Sequence, residues 1–334
     1  MASFGKVSGI KRVMVTGASG KLGGPLCQAL LEDDYDVIGV DCRVPMGIDG
    51  IEEVKADVGD TEAIEELVSR SDAVIHLASC KEDRDAFIDV SARGTFNILD
   101  AAMRTKSPKR VILASGDAVN GIYFYDNPLP INEQMPMRAY PGYYALSKVM
   151  EETMCTQFYI QAGVPAVVNR MSWIQAEDDI LSHLTVAGES FGVPIWPELM
   201  DDAQRAEYAD RKDAAVALSH PDGAPMLRHI VAVEDCVQAY LLMLQTAGIE
   251  GETYQIAMND PFNYCDAAAY AAERLDIDIL ELVDPVGKDF CVDVTKARYQ
   301  LGYQPTYDIF SLIDAAIEFR QSGGERRARS GIKG

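Results

Sequence analysis

The stretch Lys11 to Gly23, KRVMVTGASGKLG, begins as a β-branched apolar run and breaks into glycines at Gly17, Gly20 and Gly23. The residues that follow, GPLCQALLEDD, have the apolar spacing of a helix. A strand that turns through glycines into a helix makes a phosphate cradle. The backbone can approach a pyrophosphate closely, and the free N–H groups and dipole at the helix start favour its charge. Three spaced glycines are weak evidence alone, but here the strand before and the helix after are both present. A Walker A loop is excluded, because Lys21 lacks the preceding glycine spacing and a following Ser or Thr.

Outward from the turn, DVIGVD predicts a second strand ending at Asp41. A carboxylate about 20 residues beyond such a turn accepts from both ribose hydroxyls and repels a 2′-phosphate, which favours NAD over NADP. Arg43 could swing toward a phosphate but reads as a solvated loop charge. EVKADV predicts a third strand closing at Asp57 and Val58, and DTEAIEELVSR a helix capped by Asp60. SDAVIHLAS is a fourth strand ending in Leu77, Ala78 and Ser79, with His76 read as a hydrogen-bonded core residue. A helix over 83–104 and a fifth strand, KRVILAS, continue the alternation. The rhythm predicts an α/β protein with a doubly wound parallel sheet, a Rossmann fold, and ligands at the carboxyl ends of its strands. Gly17, Asp41, Asp57, Ser79 and Ser115 all fall there.

Tyr144 and Lys148, in PGYYALSK (141–148), open a helix expected to reach Gln161. Four residues apart, they share one helix face. A phenol titrates near pH ~10 in water, and a fixed ammonium beside it favours the anion, so the pair suits proton exchange with an alcohol. VPAVVNRMSWI then predicts a sixth strand. From Gln175 the chain becomes acidic loop and helix without a clear strand, where a substrate lobe would be inserted. HIVAV and ETYQIA are further strands around the helix EDCVQAYLLMLQTA. The expected division is a nucleotide-binding domain over 8–175, rejoined by 226–258, a smaller C-terminal α/β lobe over 176–225 and 259–320, and a flexible tail over 321–334.

The 334 residues are 48% apolar, enough for a sizeable core. Lys and Arg number 30 against 52 Asp and Glu, a net charge of −22, which repels polyanions and argues against a nucleic-acid partner. Seven cysteines without Cys-x-x-Cys spacing suggest reduced thiols in a cytoplasm. The four histidines are scattered, so no metal site is expected. No signal peptide or membrane-spanning run is read, and no membrane partner is expected.

With VTGASGKLG, Asp41, Asp57, HLAS, ASGDAVNG and the YALSK pair in order, the chain resembles the extended short-chain dehydrogenase/reductases, the NAD-dependent epimerase/dehydratase family. RHIVAVED and DVTKARYQLGYQPTY are similar to later segments of the same family. The resemblance implies that the turn from Gly17 through Ser19, Gly20, Lys21 and Leu22 to Gly23 holds the pyrophosphate of NAD, Asp41 the adenosine ribose, and Asp57 with Val58 the adenine. It implies that Leu77, Ala78 and Ser79 line the nicotinamide side. Tyr144 would be the general acid/base, with Lys148 lowering its pKa and holding the nicotinamide ribose. Members commonly pair through two long helices, here 83–104 and 143–161, so a homodimer is expected.

Three departures bear on the substrate. The family's last hydroxyl of the fifth strand aligns with Gly116, leaving Ser115, Asp117 or a water to hold the substrate oxygen. Ser91 stands where an Asn commonly contacts the cofactor. Trp173 replaces the Asn that helps hold a sugar diphosphate, with Arg170 before it open to either an ion pair or a substrate contact. Arg228 is a further substrate candidate. SGDAVNGIY is also similar to a short stretch of the uronate dehydrogenases. The expected activity is NAD-dependent oxidation of a sugar, polyol or sugar acid. The alternatives are an epimerase or dehydratase that recycles bound NAD, and a non-catalytic NAD sensor.

Overall fold

The computed structural model describes residues 5, 7–187, 194–208 and 213–326. β1 (Arg12–Thr16) leads through the glycine turn into α1 (Gly23–Glu32). β2 (Asp36–Asp41), β3 (Glu52–Lys55), α2 (Thr61–Ser69), β4 (Ala73–His76), α3 (Gly94–Thr105) and β5 (Arg110–Gly116) follow. Next are α4 (Tyr143–Ala162), β6 (Ala166–Met171), β7 (Trp173–Gln175), α5 (Asp179–Leu184), α6 (Trp196–Leu199) and α7 (Asp202–Tyr208). β8 (Ala214–Ser219), β9 (Leu227–Arg228), β10 (Ile230–Ala232), α8 (Val233–Gln245), β11 (Thr253–Ile256) and β12 (Phe262–Asn263) come after these. α9 (Tyr264–Leu275), β13 (Asp278–Val283), α10 (Thr295–Leu301) and α11 (Ile309–Ser322) close the order.

Seven strands form one parallel sheet in the order β11-β6-β5-β4-β1-β2-β3. Helices cover both faces, so the strands are apolar on both sides. Val13 and Val15 pack with Leu26, Leu30, Tyr240 and Met243 on one face. Met14, between them, packs with Ile64, Ile98 and Leu99 on the other. The strand order reverses between β1 and β4, which leaves a crevice at their carboxyl ends. A smaller lobe is built around the parallel pair β8 and β13, with α5, α9 and α11 closing a core of Trp196, Val216, Tyr264, Leu282 and Ile313. Among the described residues no helix is long and apolar enough to cross a membrane.

Several sequence boundaries are corrected. The expected sixth strand is two: β6 stays in the large sheet, and after Ser172 β7 leaves it to pair with β10. β8 escaped the sequence reading because its partner β13 lies some 60 residues on, and Ala214 and Ala215 carry little β signal. The helix expected over 83–104 is a π-helical stretch at Ile88–Arg93 running into α3. Ala297, Leu301 and Tyr303, assigned by sequence to the substrate lobe, pack into the core of the large sheet. The expected tail does not fray at 321, since α11 reaches Ser322 and Arg326 is held by Asp178 and Ser182. The rest of that tail, 327–334, lies outside the described residues, as do 188–193 and 209–212 of the acidic insert.

Candidate active site

The glycine turn is packed too closely for side chains. Gly17 has φ +70°, and a Cβ on it would meet the Ala78 amide at 2.9 Å. On Gly23 a Cβ would lie 2.2 Å from the Gly17 carbonyl oxygen. Leu22, buried, leads into α1, and the Gly20 N–H bonds the Gly17 carbonyl at 3.0 Å. At the end of β2, Asp41 accepts from the Ser19 hydroxyl at 2.7 Å, the Ser19 N–H at 3.1 Å and the Arg43 N–H at 3.0 Å. Burial would raise its pKa, but these donors and the Arg43 charge hold it below the ordinary carboxylate value. Arg43 is not merely a solvated charge, because its Nε lies 3.6 Å from Asp41. Lys21 forms an ion pair with Asp179 across the crevice. Asp57 accepts from the Gly59 N–H at 2.8 Å, and Val58 is buried against Gly94. Leu77, Ala78 and Ser79 line the crevice just past β4, half-buried. A cradle that a Cβ would fill, a helix start and an ionised carboxylate at the end of β2 fit a dinucleotide such as NAD.

His76 is a core residue, as its apolar setting predicted. Its Nδ1 meets the Thr16 hydroxyl at 2.7 Å and its Nε2 the Thr95 hydroxyl at 3.1 Å. Burial lowers its pKa to about 3, so the ring is neutral. The Thr16 oxygen also accepts from the Ala78 N–H at 3.2 Å, which ties the end of β4 to β1 beside the glycine turn. Among the described residues no group of three His, Cys, Asp or Glu could hold a metal ion.

α4 carries the Tyr144 and Lys148 pair. Its start is fixed by Glu82, whose carboxylate accepts from the Tyr143 N–H at 2.8 Å. Lys148 is buried, with Nζ 2.9 Å from the Ala114 carbonyl, 2.8 Å from Glu151 and 5.5 Å from the centroid of the Tyr144 ring. Burial would lower its pKa, but Glu151, Tyr144 and Glu152 more than offset this and raise it. Lys81, which the sequence reading passed over, sits 4.0 Å above the Tyr144 ring. Its one signal was its place just past the HLAS strand end.

On the substrate side, two expected residues are engaged elsewhere. Ser115 donates to Glu152, and Arg170 grips the same carboxylate through Nε at 3.0 Å and Nη2 at 2.5 Å. All three are buried behind the strand end, so Ser115 is not free to hold a substrate oxygen and Arg170 is an ion-pair partner rather than a substrate contact. Gly116 does border the site: a Cβ there would lie 3.6 Å from the Tyr144 hydroxyl, an ordinary contact. Asp117 is buried, and its Oδ2 has no hydrogen-bond partner among the described residues. Burial pushes its pKa up to about 7, against the opposing pull of Arg228, the Trp173 N–H and Lys81. The Arg228 guanidinium lies 4.4 Å over the Trp173 ring, and Tyr140 is near both Tyr144 and Asp117. Lys81, Tyr140 and Glu151 were not found by sequence reasoning, because each acquires its place only through contacts between distant segments.

The model of the NAD dependent epimerase/dehydratase family matches residues 13–257. The chain is 27% identical over 244 residues to a uronate dehydrogenase of Pseudomonas syringae pv. tomato, covering 64% of this chain and 87% of that one. It is 29% identical over 182 residues to an L-arabinose 1-dehydrogenase (NAD(P)(+)) of Haloferax volcanii, covering 51% and 69%. Its fold is similar to that of a short-chain dehydrogenase/reductase superfamily protein of Agrobacterium tumefaciens solved with bound NAD, with TM-score 0.80, 22% identity and coverage of 93% and 98%. A UDP-glucose 4-epimerase of Thermotoga maritima solved with UDP-glucose gives TM-score 0.73 at 20% identity, covering 93% and 99%.

The raised pKa of Asp117 has a consequence for stability. A carboxyl that titrates near 7 when folded and near ~3.9 when unfolded loses folding free energy as pH rises between those values. Asp117→Asn removes that loss. Its melting temperature should exceed that of the wild type by a few degrees at pH 8 and differ little at pH 4, as read by calorimetry. An equal gap at both pH values would show that Asp117 is not perturbed.

Proposed function

Because the chain belongs to the NAD dependent epimerase/dehydratase family, we propose that it is an NAD-dependent oxidoreductase acting at a carbinol carbon of a free sugar, polyol or sugar acid, with net NADH release. The observation that carries this reading is the Tyr144 hydroxyl beside Gly116, 3.6 Å from where a Cβ would lie, with the buried Lys148 ammonium 5.5 Å from the centroid of its ring. The Trp173 and Arg228 stack favours an unactivated sugar, since it occupies the ground where a diphosphate-holding amide would be expected. Two relatives are named for a uronate and for L-arabinose, neither of them a nucleotide sugar.

In this reading Gly17, Ser19, Gly20, Leu22 and Gly23 hold the pyrophosphate, Asp41 the adenosine ribose, Asp57 and Val58 the adenine, and Leu77, Ala78 and Ser79 the nicotinamide side. NAD, when bound, accepts the hydride. Tyr144 takes the hydroxyl proton, and the Lys148 ammonium near its ring supplies a positive charge to the transfer. Asp117 supplies the hydrogen-bond partner that Gly116 lacks, its unpartnered Oδ2 meeting a substrate hydroxyl. Trp173 and Tyr140 cover the sugar ring and exclude water. The protein pairs as a homodimer through the outer faces of α3 and α4, where Phe96, Met103, Leu146 and Ile160 are exposed.

Nicotinamide absorbance on the purified protein with NAD and a panel of free sugars, polyols, uronates and aldonates should show NADH accumulating with one member. Tyr144→Phe should cut that turnover at least ~100-fold with NAD affinity little changed. Activity surviving in that variant, or retained bound NAD with no accumulation in the wild type, rejects the dehydrogenase reading, and the second result points instead to an epimerase or dehydratase. Asp117→Ala should lose turnover, and adding Gly116→Ser, for which there is space, should restore about 10-fold of the loss; no restoration would mean that the substrate oxygen is held from elsewhere. Leu146→Glu should convert a dimer to a monomer in light scattering.

A further inference from the structure

Lys148 has a companion that its proton-transfer role does not by itself require. Glu151, one helical turn on, is fully buried and bonds the ammonium at 2.8 Å. An ammonium has three N–H groups. The Ala114 carbonyl and Glu151 take two, which leaves one. Ser91 lies beside the Glu151 carboxylate, and its oxygen accepts from the Cys80 N–H at 3.2 Å, so the ion pair is tied to the loop after β4.

The surrounding charges do not duplicate this partner. On α4 itself Tyr144 and Glu152 are near, but Glu152 is committed to Arg170 on β6 and to Ser115 on β5. Cys155, further along the helix, is a buried thiol whose pKa burial raises, so it stays neutral. His76 on β4 feels the Lys148 charge and is neutral itself. Lys81 stands 4.0 Å over the Tyr144 ring and adds a positive charge. Tyr240 on α8 and Tyr140 are near Tyr144, both phenols held neutral by burial, and Asp117 is near Tyr140. Glu151 is therefore the carboxylate that bonds the ammonium.

We propose that Glu151 is a positioning residue that keeps Lys148 an ammonium ion in a site shut off from water, aims its remaining N–H into the crevice, and so preserves the electrostatic support of Tyr144 into the alkaline range. The proposal rests on the reading of Tyr144 and Lys148 as the proton-transfer pair. Without the carboxylate, the largest effect opposing burial is lost and the amine sheds its proton more readily.

The test is Glu151→Gln, which keeps the size and an acceptor but removes the charge. In the protein without NAD or substrate, the folded pKa of Lys148 then falls below its unfolded value of ~10.4. The variant pays for that at neutral pH and recovers as pH rises toward ~10.4, while the wild-type pair loses its benefit above the same value. The difference in melting temperature should be about 5 °C or more at pH 7 and should shrink steadily toward pH 10. In turnover, the variant should gain a descending limb between about pH 8 and 10 that the wild type lacks. A pH-independent melting difference, or a rate profile of unchanged shape, overturns the proposal by reducing Glu151 to packing. Lys148→Met with Glu151→Met covers a poorly folding single variant: removing both charges should give a more stable protein than Glu151→Gln, and a double variant no better folded also overturns it. Because the melting comparison uses neither NAD nor substrate, it judges the state of Lys148 even if Tyr144→Phe were to sink the catalytic reading.

Discussion

The constraint on which the rest depends is the contact between the glycine turn and its neighbours. With a Cβ, Gly17 would strike the backbone after β4 and Gly23 would strike the turn itself. Their absence lets α1 begin directly over the carboxyl end of β1, beside the point where strand order reverses. A helix start, the ends of β2 and β4, and the Thr16 hydroxyl that bonds both His76 and Ala78 then meet within one crevice. Everything placed there afterwards, from Asp41 to Tyr144, depends on that edge being held at fixed register.

A second theme is the division of labour at the end of β5. Successive residues of a strand face opposite sides. Ser115 is consumed by the Glu152 and Arg170 pair, whereas a Cβ on Gly116 would meet the Tyr144 hydroxyl. Asp117 follows, buried with one oxygen unpartnered, at a cost to stability that fits a group kept for a ligand. The same helix supplies both an ion pair to Arg170, through Glu152, and the buried Lys148 and Glu151 pair near the Tyr144 ring. Adjacent carboxylates thus serve different partners, Glu152 the Arg170 guanidinium on β6 and Glu151 the Lys148 ammonium on its own helix.

The elements that could be read from the chain are those whose signal is local: β1 with its glycine turn, the apolar strands through β5, and the helix bearing Tyr144 and Lys148. The parallel sheet follows from their alternation, and His76 was correctly read as a core residue from its apolar run. β8 could not be read, since two alanines and a partner some 60 residues away leave no local trace. The break at Ser172 was hidden for a similar reason. VNRMSWI has no glycine or proline to mark a break, and only pairing with β10 pulls Trp173 away from the sheet and beneath Arg228.

The sequence by itself determined the fold class, the nucleotide cradle and the Tyr144 and Lys148 spacing, because hydrophobic period, glycine placement and helical repeat are properties of neighbouring residues. The tertiary structure alone decided which polar residues remain available for chemistry. Ser115 and Arg170 look like site residues until Glu152 claims them, and Asp117 and Glu151 acquire their roles only when burial removes water and leaves each facing a particular partner. The reason is that desolvation and pairing are set by contacts between segments far apart in the chain, and no local pattern encodes them.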